Sequence, residues 1–347
     1  LRMRSAWTRR VIAEGAVSSN TLWTSISGAK TSLEGVRVKG VITSNRHAVL
    51  EAIKQHFTAK HSLPRRATNP PNRSPPHATI QHTNTLLNAI TQQEITSAIS
   101  KMTANTAPGP DYITNTMLKR GGPNFIKATT TLLNSLMQIQ EAPLIWNSDL
   151  TTLIHKKRDP LDLNNYREIS LMCALSKLYA RIIQKRLSST VEDENLLNES
   201  QAASRKTRSV EDNIFLLFTI IQHSKSTNTP LHIACLDLKS AYDTVNRETL
   251  WNRLQRMNIP DQFIQMIQSL YTNTTRQITW QGRRTESFPV KMGLRQGCPL
   301  SPLLFSLLIA HIPSVLDSTG IGINVHQIRT TNLIYADDIL LLSHCSK

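Results

Sequence analysis

Acidic side chains are scarce in this 347-residue sequence: 24 Asp and Glu stand against 40 Lys and Arg, a formal net charge of +16 with histidine neutral. That imbalance points to a polyanionic partner, either nucleic acid or an anionic membrane surface. Cysteine is scarce too. Cys173, Cys235, Cys298 and Cys345 are isolated, with no CxxC pair, which excludes a disulfide scaffold and a cysteine zinc site and fits an intracellular chain. No apolar stretch approaches the roughly 18–20 residues that span a bilayer. The first residue is Leu1 and no signal peptide is visible. Hydrophobic residues, at 39%, still suffice for a sizeable core at this length. Apolar-periodic runs recur beyond residue 85, which excludes a wholly disordered chain. The length predicts two or three compact units.

The charge is uneven. Residues 1–80 hold 13 basic and 3 acidic side chains, residues 81–347 hold 27 and 21. The first segment therefore carries most of the excess, read either as a solvated arm or as salt-sensitive contact with phosphates. Pro64, Pro70, Pro71, Pro75 and Pro76 are interleaved with Arg65, Arg66 and Arg73. Clustered prolines favour extended chain, so 61–84 reads as a linker and 1–60 as a basic N-terminal connector. Arg65-Arg66 is too short for a nuclear-localisation run.

Helical spacing predicts helices over 46–57, 125–140, 175–187, 209–223, 246–257, 260–271 and 301–316. Thr91 with Glu94 is a capping-box pattern opening another over 91–102. Ala107-Pro108-Gly109-Pro110-Asp111 reads as a turn. Strands are expected over 151–154, ahead of the basic run His155–Arg158, and over 231–238. Residues 275–292 alternate and contain Gly282, so a hairpin is expected there, and 331–342 is two apolar runs around a polar centre. There is no internal repeat.

The polar centre is the informative feature. Asp337 and Asp338 interrupt Leu333–Ala336 and Ile339–Leu342, and Asp237 ends the run Ile233–Leu236. Asp is a poor strand former, and an ionised carboxylate in apolar surroundings costs several kcal/mol unless paired or metal-bound. The bland reading of Asp337-Asp338 is a hairpin turn. A second such site lowers it. Three carboxylates on neighbouring strands could hold two divalent cations, and hard oxygen ligands beside a phosphate substrate fit Mg²⁺. The chemistry so served is in-line phosphoryl displacement.

Tyr335-Ala336-Asp337-Asp338 resembles the YxDD box of reverse transcriptases, and other blocks in the right order strengthen the likeness. Leu236–Asp243 resembles the first catalytic block of the palm. Gly293–Phe305 (GLRQGCPLSPLLF) resembles the QG-x-x-LSP block. Asn165–Leu171 (NYREISL), with Lys177 and Arg186-Leu187 after it, resembles the NYRPISL fingers block. Ala107–Asp111 resembles the APGPDG block of non-LTR (LINE-type) elements. The blocks cover about residues 90–345, and the chain resembles the reverse transcriptase of a non-LTR retrotransposon, cut before the thumb.

That resemblance implies an α+β fold: a right-hand polymerase with fingers over 85–230 (including the start of the palm) and an incomplete palm over 231–347 of split β-α-β-β-α-β type. It implies RNA-directed DNA polymerase activity, with Asp237, Asp337 and Asp338 catalytic and the Leu238 carbonyl joining them around two Mg²⁺ (or Mn²⁺) ions. Arg167 and one of Lys156 or Lys157 would grip the triphosphate, against the alternative of a solvated basic loop. Tyr242 would exclude a 2′-OH, against an ordinary core tyrosine. Gln296 and Gly297 would line the nucleotide pocket, against a plain turn. Arg205 and Arg208 would lie near template, against a surface cluster. The implied partners are an RNA template, a DNA primer, dNTPs and the element's own endonuclease and thumb, with no membrane; the implied compartment is the nucleus. Two departures stand out. Glu168 replaces the usual Pro and could pair with Arg167, weakening its hold on phosphate. Ala203, Ser204 and Thr207 replace Gly, Phe and Gly, which puts template contacts there in doubt. A catalytically inactive, basic RNA- or DNA-binding remnant is the alternative; a two-metal nuclease would have no need of Tyr242, Gln296 or the NYR block.

Overall fold

The computed structural model describes residues 33–38, 40–62, 83–156, 158–325 and 328–344. The expected linker, apart from its two ends, and Lys157 lie outside them. Strands β1 (Val36–Val38) and β2 (Val41–Thr43) pair antiparallel, and helix α1 (Arg46–Ser62) follows, running on past the expected end at 57. Val49, Ile53 and Phe57 bury one face of α1 against Ile278, Trp280 and Phe288, so residues of the expected connector share a core with the main body.

Helices α2 (Thr83–Leu87), α3 (Gln92–Ser100), α4 (Asn115–Arg120) and α5 (Pro123–Ile139) come next. The Thr91–Glu94 capping box closes both ways at the start of α3. Arg186 clamps this corner: its guanidinium donates to Glu94 Oε1 at 2.8 Å and to the Asn88 carbonyl at 2.5 Å. The turn at Gly109 lies so close to Met172 and Cys173 that an added Cβ would stand 2.5 Å from their backbone.

The chain then forms β3 (Ser148–His155) and β4 (Tyr166–Leu171), helices α6 (Ala174–Asp193) and α7 (Val210–Ser226), β5 (His232–Asp237), and helices α8 (Arg247–Arg256) and α9 (Asp261–Ser269). Strands β6 (Thr275–Trp280), β7 (Arg283–Arg284) and β8 (Phe288–Pro289) realise the expected hairpin region. The expected helix over 301–316 is instead two, α10 (Ser301–Ile309) and α11 (Ile312–Ser318), with Pro313 in the first turn of the second. Together Ser301–Ser318 have the length and composition to cross a membrane, which corrects the expectation that no stretch comes near. The reason they pack here is visible: Leu303, Leu304, Phe305 and Leu307 lie in the main core. Strands β9 (Ile323–Val325), β10 (Ile328–Thr330), β11 (Asn332–Tyr335) and β12 (Asp338–Ser343) complete the described chain.

Two sheets position the site. One has the order β4-β3-β6-β7, with β8 also on β6. Its β3·β6 pair is parallel, so it draws strands from both sides of residue 230. The other is antiparallel, β11-β12-β5. Helix α7 lies over it through Ile220, which packs with Leu333 and Leu342. The rest of α7 is less covered: Phe215 and Phe218 are exposed.

Candidate active site

The small sheet brings the three aspartates to one end. Tyr335 and Asp338 close the β11–β12 hairpin around Ala336-Asp337, and Ala336 takes a left-handed φ of 54°. A side-chain-bearing residue in that region is strained, and the turn needs it because a two-residue hairpin loop matches the sheet twist only with positive φ. Asp338 of β12 stands directly opposite Asp237 of β5. Like charges across an antiparallel pair repel. Among the described residues no hydrogen bond or ion pair engages the side chains of Asp237, Asp337 or Asp338.

Asp237 and Asp337 line a cavity of about 520 Å³. Its other walls come from three places. The β3–β4 hairpin supplies Lys156 and Arg167, both exposed. The turn after β5 supplies Leu238, Tyr242 and Asp243, and the loop before α10 supplies Gln296 and Gly297. Tyr242 is half-buried and stacks on Phe305, ring centroids 5.0 Å apart and 21° from parallel. Burial, then the charges of Asp337 and Tyr335, push its phenol pKa up, so the ring presents a neutral hydroxyl. Gly297 has φ 120°, and an added Cβ would stand 2.8 Å from the Ser170 carbonyl. The close backbone approach at Gly297 is thus to β4 itself, where the Gln296 carbonyl accepts from Ser170 N at 2.8 Å. Eight expected residues therefore share one cavity. Asp338 does not line it, and Lys157 lies outside the described residues.

A family model for reverse transcriptase (RNA-dependent DNA polymerase) matches residues 154–347. The chain belongs to the reverse transcriptase family. It is 32% identical over 259 residues to the retrovirus-related Pol polyprotein from type-1 retrotransposable element R2 of Popillia japonica, covering 73% of this chain and 34% of that protein. It is 24% identical over 258 residues to the RNA-directed DNA polymerase from mobile element jockey of Drosophila melanogaster, covering 74% and 28%. Transposon TX1 of Xenopus laevis encodes a further relative, a 149 kDa protein 28% identical over 260 residues, covering 73% and 19%. The chain thus spans about a third or less of the length of these relatives, and their kind agrees with the non-LTR likeness of its blocks.

Glu168, the departure from the family's fingers block, does not pair with Arg167. Alternation along β4 puts the two on opposite faces, Arg167 exposed and Glu168 buried. Glu168 instead accepts from Lys60 at 2.8 Å and from Arg276, with His61 Nε2 at 2.8 Å. Burial pushes its carboxyl pKa up, but His61, Arg276 and Lys60 outweigh burial and hold it well below the carboxylate range. Arg276 also lies 3.6 Å from Asp149, and Arg295 Nε 3.4 Å from the same carboxylate. Arg295, wholly buried, donates to the Trp146 carbonyl at 2.9 Å and to Asn147 Oδ1 at 3.1 Å. Lys60 reaches a second acid, Asp243, at 2.7 Å. Burial lowers the pKa of Lys60, and the two carboxylates more than reverse that. Lys60, Asp149 and Arg276 escaped the sequence reading because a charged residue in isolation reads as surface. Asp243 and Arg295 fall inside blocks that the sequence reading quoted, but without a role of their own.

Arg205 and Arg208 sit elsewhere. Arg205 is held by Glu192 at 2.7 Å with a side chain 4% exposed, and Arg208 pairs with Glu199. Arg205 lines a second cavity, between α3 and α6, with Lys101, Arg181, Lys185 and Lys206. The aspartate end of the small sheet suits a divalent cation by donor chemistry: hard carboxylate oxygens, with Asp237 and Asp338 at opposed register positions and no ion pair to any of the three aspartates among the described residues. No three His, Cys, Asp or Glu side chains among the described residues are already gathered as a metal cluster.

Proposed function

We propose that this chain is the polymerase part of a non-LTR retrotransposon reverse transcriptase, adding dNTPs to a primer 3′-OH on an RNA template. One observation carries the reading: a single cavity unites two unpaired carboxylates, two exposed cations, a stacked tyrosine and a glutamine. Arg167 and Lys156 bind the triphosphate; the planar guanidinium fork suits phosphate oxygens, and the ammonium adds a mobile charge. Tyr242, braced by Phe305, presents its ring edge to the sugar and leaves no room for a 2′-OH. Gln296 contacts the nucleotide from the loop before α10. Asp237, Asp337 and Asp338, with the Leu238 carbonyl, would hold two Mg²⁺ ions. When bound, such ions activate the attacking oxygen and stabilise the leaving pyrophosphate. The three antiparallel strands of the small sheet are read as part of a split palm sheet, and the β3–β4 hairpin as fingers. The basic second cavity, with Arg205 on its wall, and the neighbouring Arg208 are read as template contacts.

The test is primer extension on a primed RNA template. Mg²⁺-dependent incorporation that Asp237→Ala or Asp337→Ala reduces to background is the expected result, with Tyr242→Ala admitting ribonucleotides. Extension surviving both aspartate changes refutes the metal assignment. The net charge of +16 and the basic second cavity favour one second reading, an inactive nucleic-acid-binding remnant. Salt-sensitive RNA binding without incorporation supports that one instead.

A further inference from the structure

One lysine outside the cavity lining touches Asp243 on the cavity wall and Glu168, the chain neighbour of the wall residue Arg167. Lys60, near the C-terminal end of α1, puts its ammonium 2.7 Å from Asp243 Oδ2 and 2.8 Å from Glu168 Oε1. Asp243 in turn accepts from Gln296, whose Nε2 lies 3.0 Å from Oδ1. Glu168 is the chain neighbour of Arg167. The ammonium therefore ties the segment that meets Gln296 to the strand that carries Arg167.

The consequence lies in the two ends of an amide. A glutamine side chain offers an NH₂ donor and a carbonyl acceptor of nearly equal size, and either end could face a ligand. An ionised carboxylate only accepts, so Asp243 takes the NH₂ end and leaves the carbonyl for the cavity. Asp243 needs support to do so. Its side chain is 8% exposed, and a buried carboxylate without a counter-charge is unfavourable. Asp237 and Asp337 on the same cavity add like charge. Lys60 supplies the one opposing charge in contact with it among the described residues.

We propose that Lys60 is a positioning residue for the incoming nucleotide: by anchoring Asp243 it fixes the Gln296 amide with its carbonyl toward the substrate. This rests on the nucleotide reading of the cavity given above. It places a determinant of nucleotide affinity on α1, outside the blocks by which the family is recognised.

The test measures equilibrium binding of the templated dNTP, with Mg²⁺, to the chain on an RNA template carrying a chain-terminated primer. Gln296→Ala and Lys60→Met should each weaken binding about tenfold, the scale of one hydrogen bond to a charged group. The double variant should be no weaker than either single one, because both remove the same contact. Lys60→Arg should keep most of the affinity, and primer–template binding should not change in any variant. Should Lys60→Met fail to fold, Asp243→Asn replaces it, since an Asn amide meets Gln296 with either end; the same loss is expected. Additive losses in the double variant, or undiminished dNTP affinity in Lys60→Met or Asp243→Asn, overturn the proposal. Undiminished affinity in Gln296→Ala instead removes the nucleotide role of Gln296, and absence of dNTP binding by the unaltered chain removes the polymerase reading; either takes this inference with it.

Discussion

Glu168→Ala is the most direct probe of how α1 is held to the body. The side chain is 1% exposed and meets Lys60, His61 and Arg276 together. Removing it leaves Arg276 with Asp149 at 3.6 Å and Lys60 with Asp243 alone. Breaking a buried ion pair from one side costs about 3–5 kcal/mol, mostly the penalty of the stranded charge. At about 2 °C per kcal/mol for a chain of this size, the thermal midpoint should fall by about 6–10 °C. Replacing both partners with apolar groups, Glu168→Leu with Arg276→Met, should recover more than half of that loss, since the stranded charge is gone. The pH dependence has a fixed sign. Glu168 has a lowered folded pKa, so its stabilisation is present above the unfolded value of 4.5 and is lost as pH falls through the folded one. Lys60 has a raised folded pKa, so its share is present below 10.5 and is lost as pH rises through the folded value. Glu168→Ala should therefore flatten the acid limb below about pH 4.5. Thermal unfolding followed by far-UV circular dichroism across pH reads all three. An unchanged midpoint in Glu168→Ala, or a double variant as unstable as the sum of its singles, refutes the reasoning.

Other perturbations have equally definite outcomes. Asp338→Asn relieves the repulsion across β5 and β12, so in metal-free buffer it should raise the thermal midpoint while reducing incorporation. Gly297→Ala forces a Cβ toward the Ser170 carbonyl at a φ that side chains rarely adopt; about 1–3 kcal/mol of destabilisation is expected by denaturant titration. Ala336→Gly removes left-handed strain from the β11–β12 hairpin and should raise stability by up to about 1 kcal/mol in a denaturant titration.

Local rules carried much of the fold. The capping box at Thr91 and Glu94 and the apolar periods of α5, α6 and α7 each state their element within a short window, and the structure has them. The aspartates were legible because they break strand rules. What stayed hidden is long-range. The parallel pairing of Thr151 with Ile278 joins segments whose separation no window spans. Residues 301–316 read as one helix because apolar periodicity does not register the break before Ile312. Glu168 was misread as a partner of Arg167, although adjacent strand residues face opposite ways. Its true partners, Lys60, His61 and Arg276, come from two other elements, and only the fold assembles them.

The uncovered side of α7 has a bearing on handling. Phe215 and Phe218 face solvent on that helix. Nearby, β5 is fully exposed and pairs with β12 alone among the described residues, which leaves an open strand edge that other chains can extend. Net charge of +16 keeps copies apart in dilute salt. Raising ionic strength shortens the range of that repulsion to a few ångströms and leaves the ring faces and the open edge unopposed. Light scattering should then show self-association growing with salt, the reverse of the trend expected for the proposed binding to RNA, so a high-salt wash meant to remove nucleic acid should also promote aggregation.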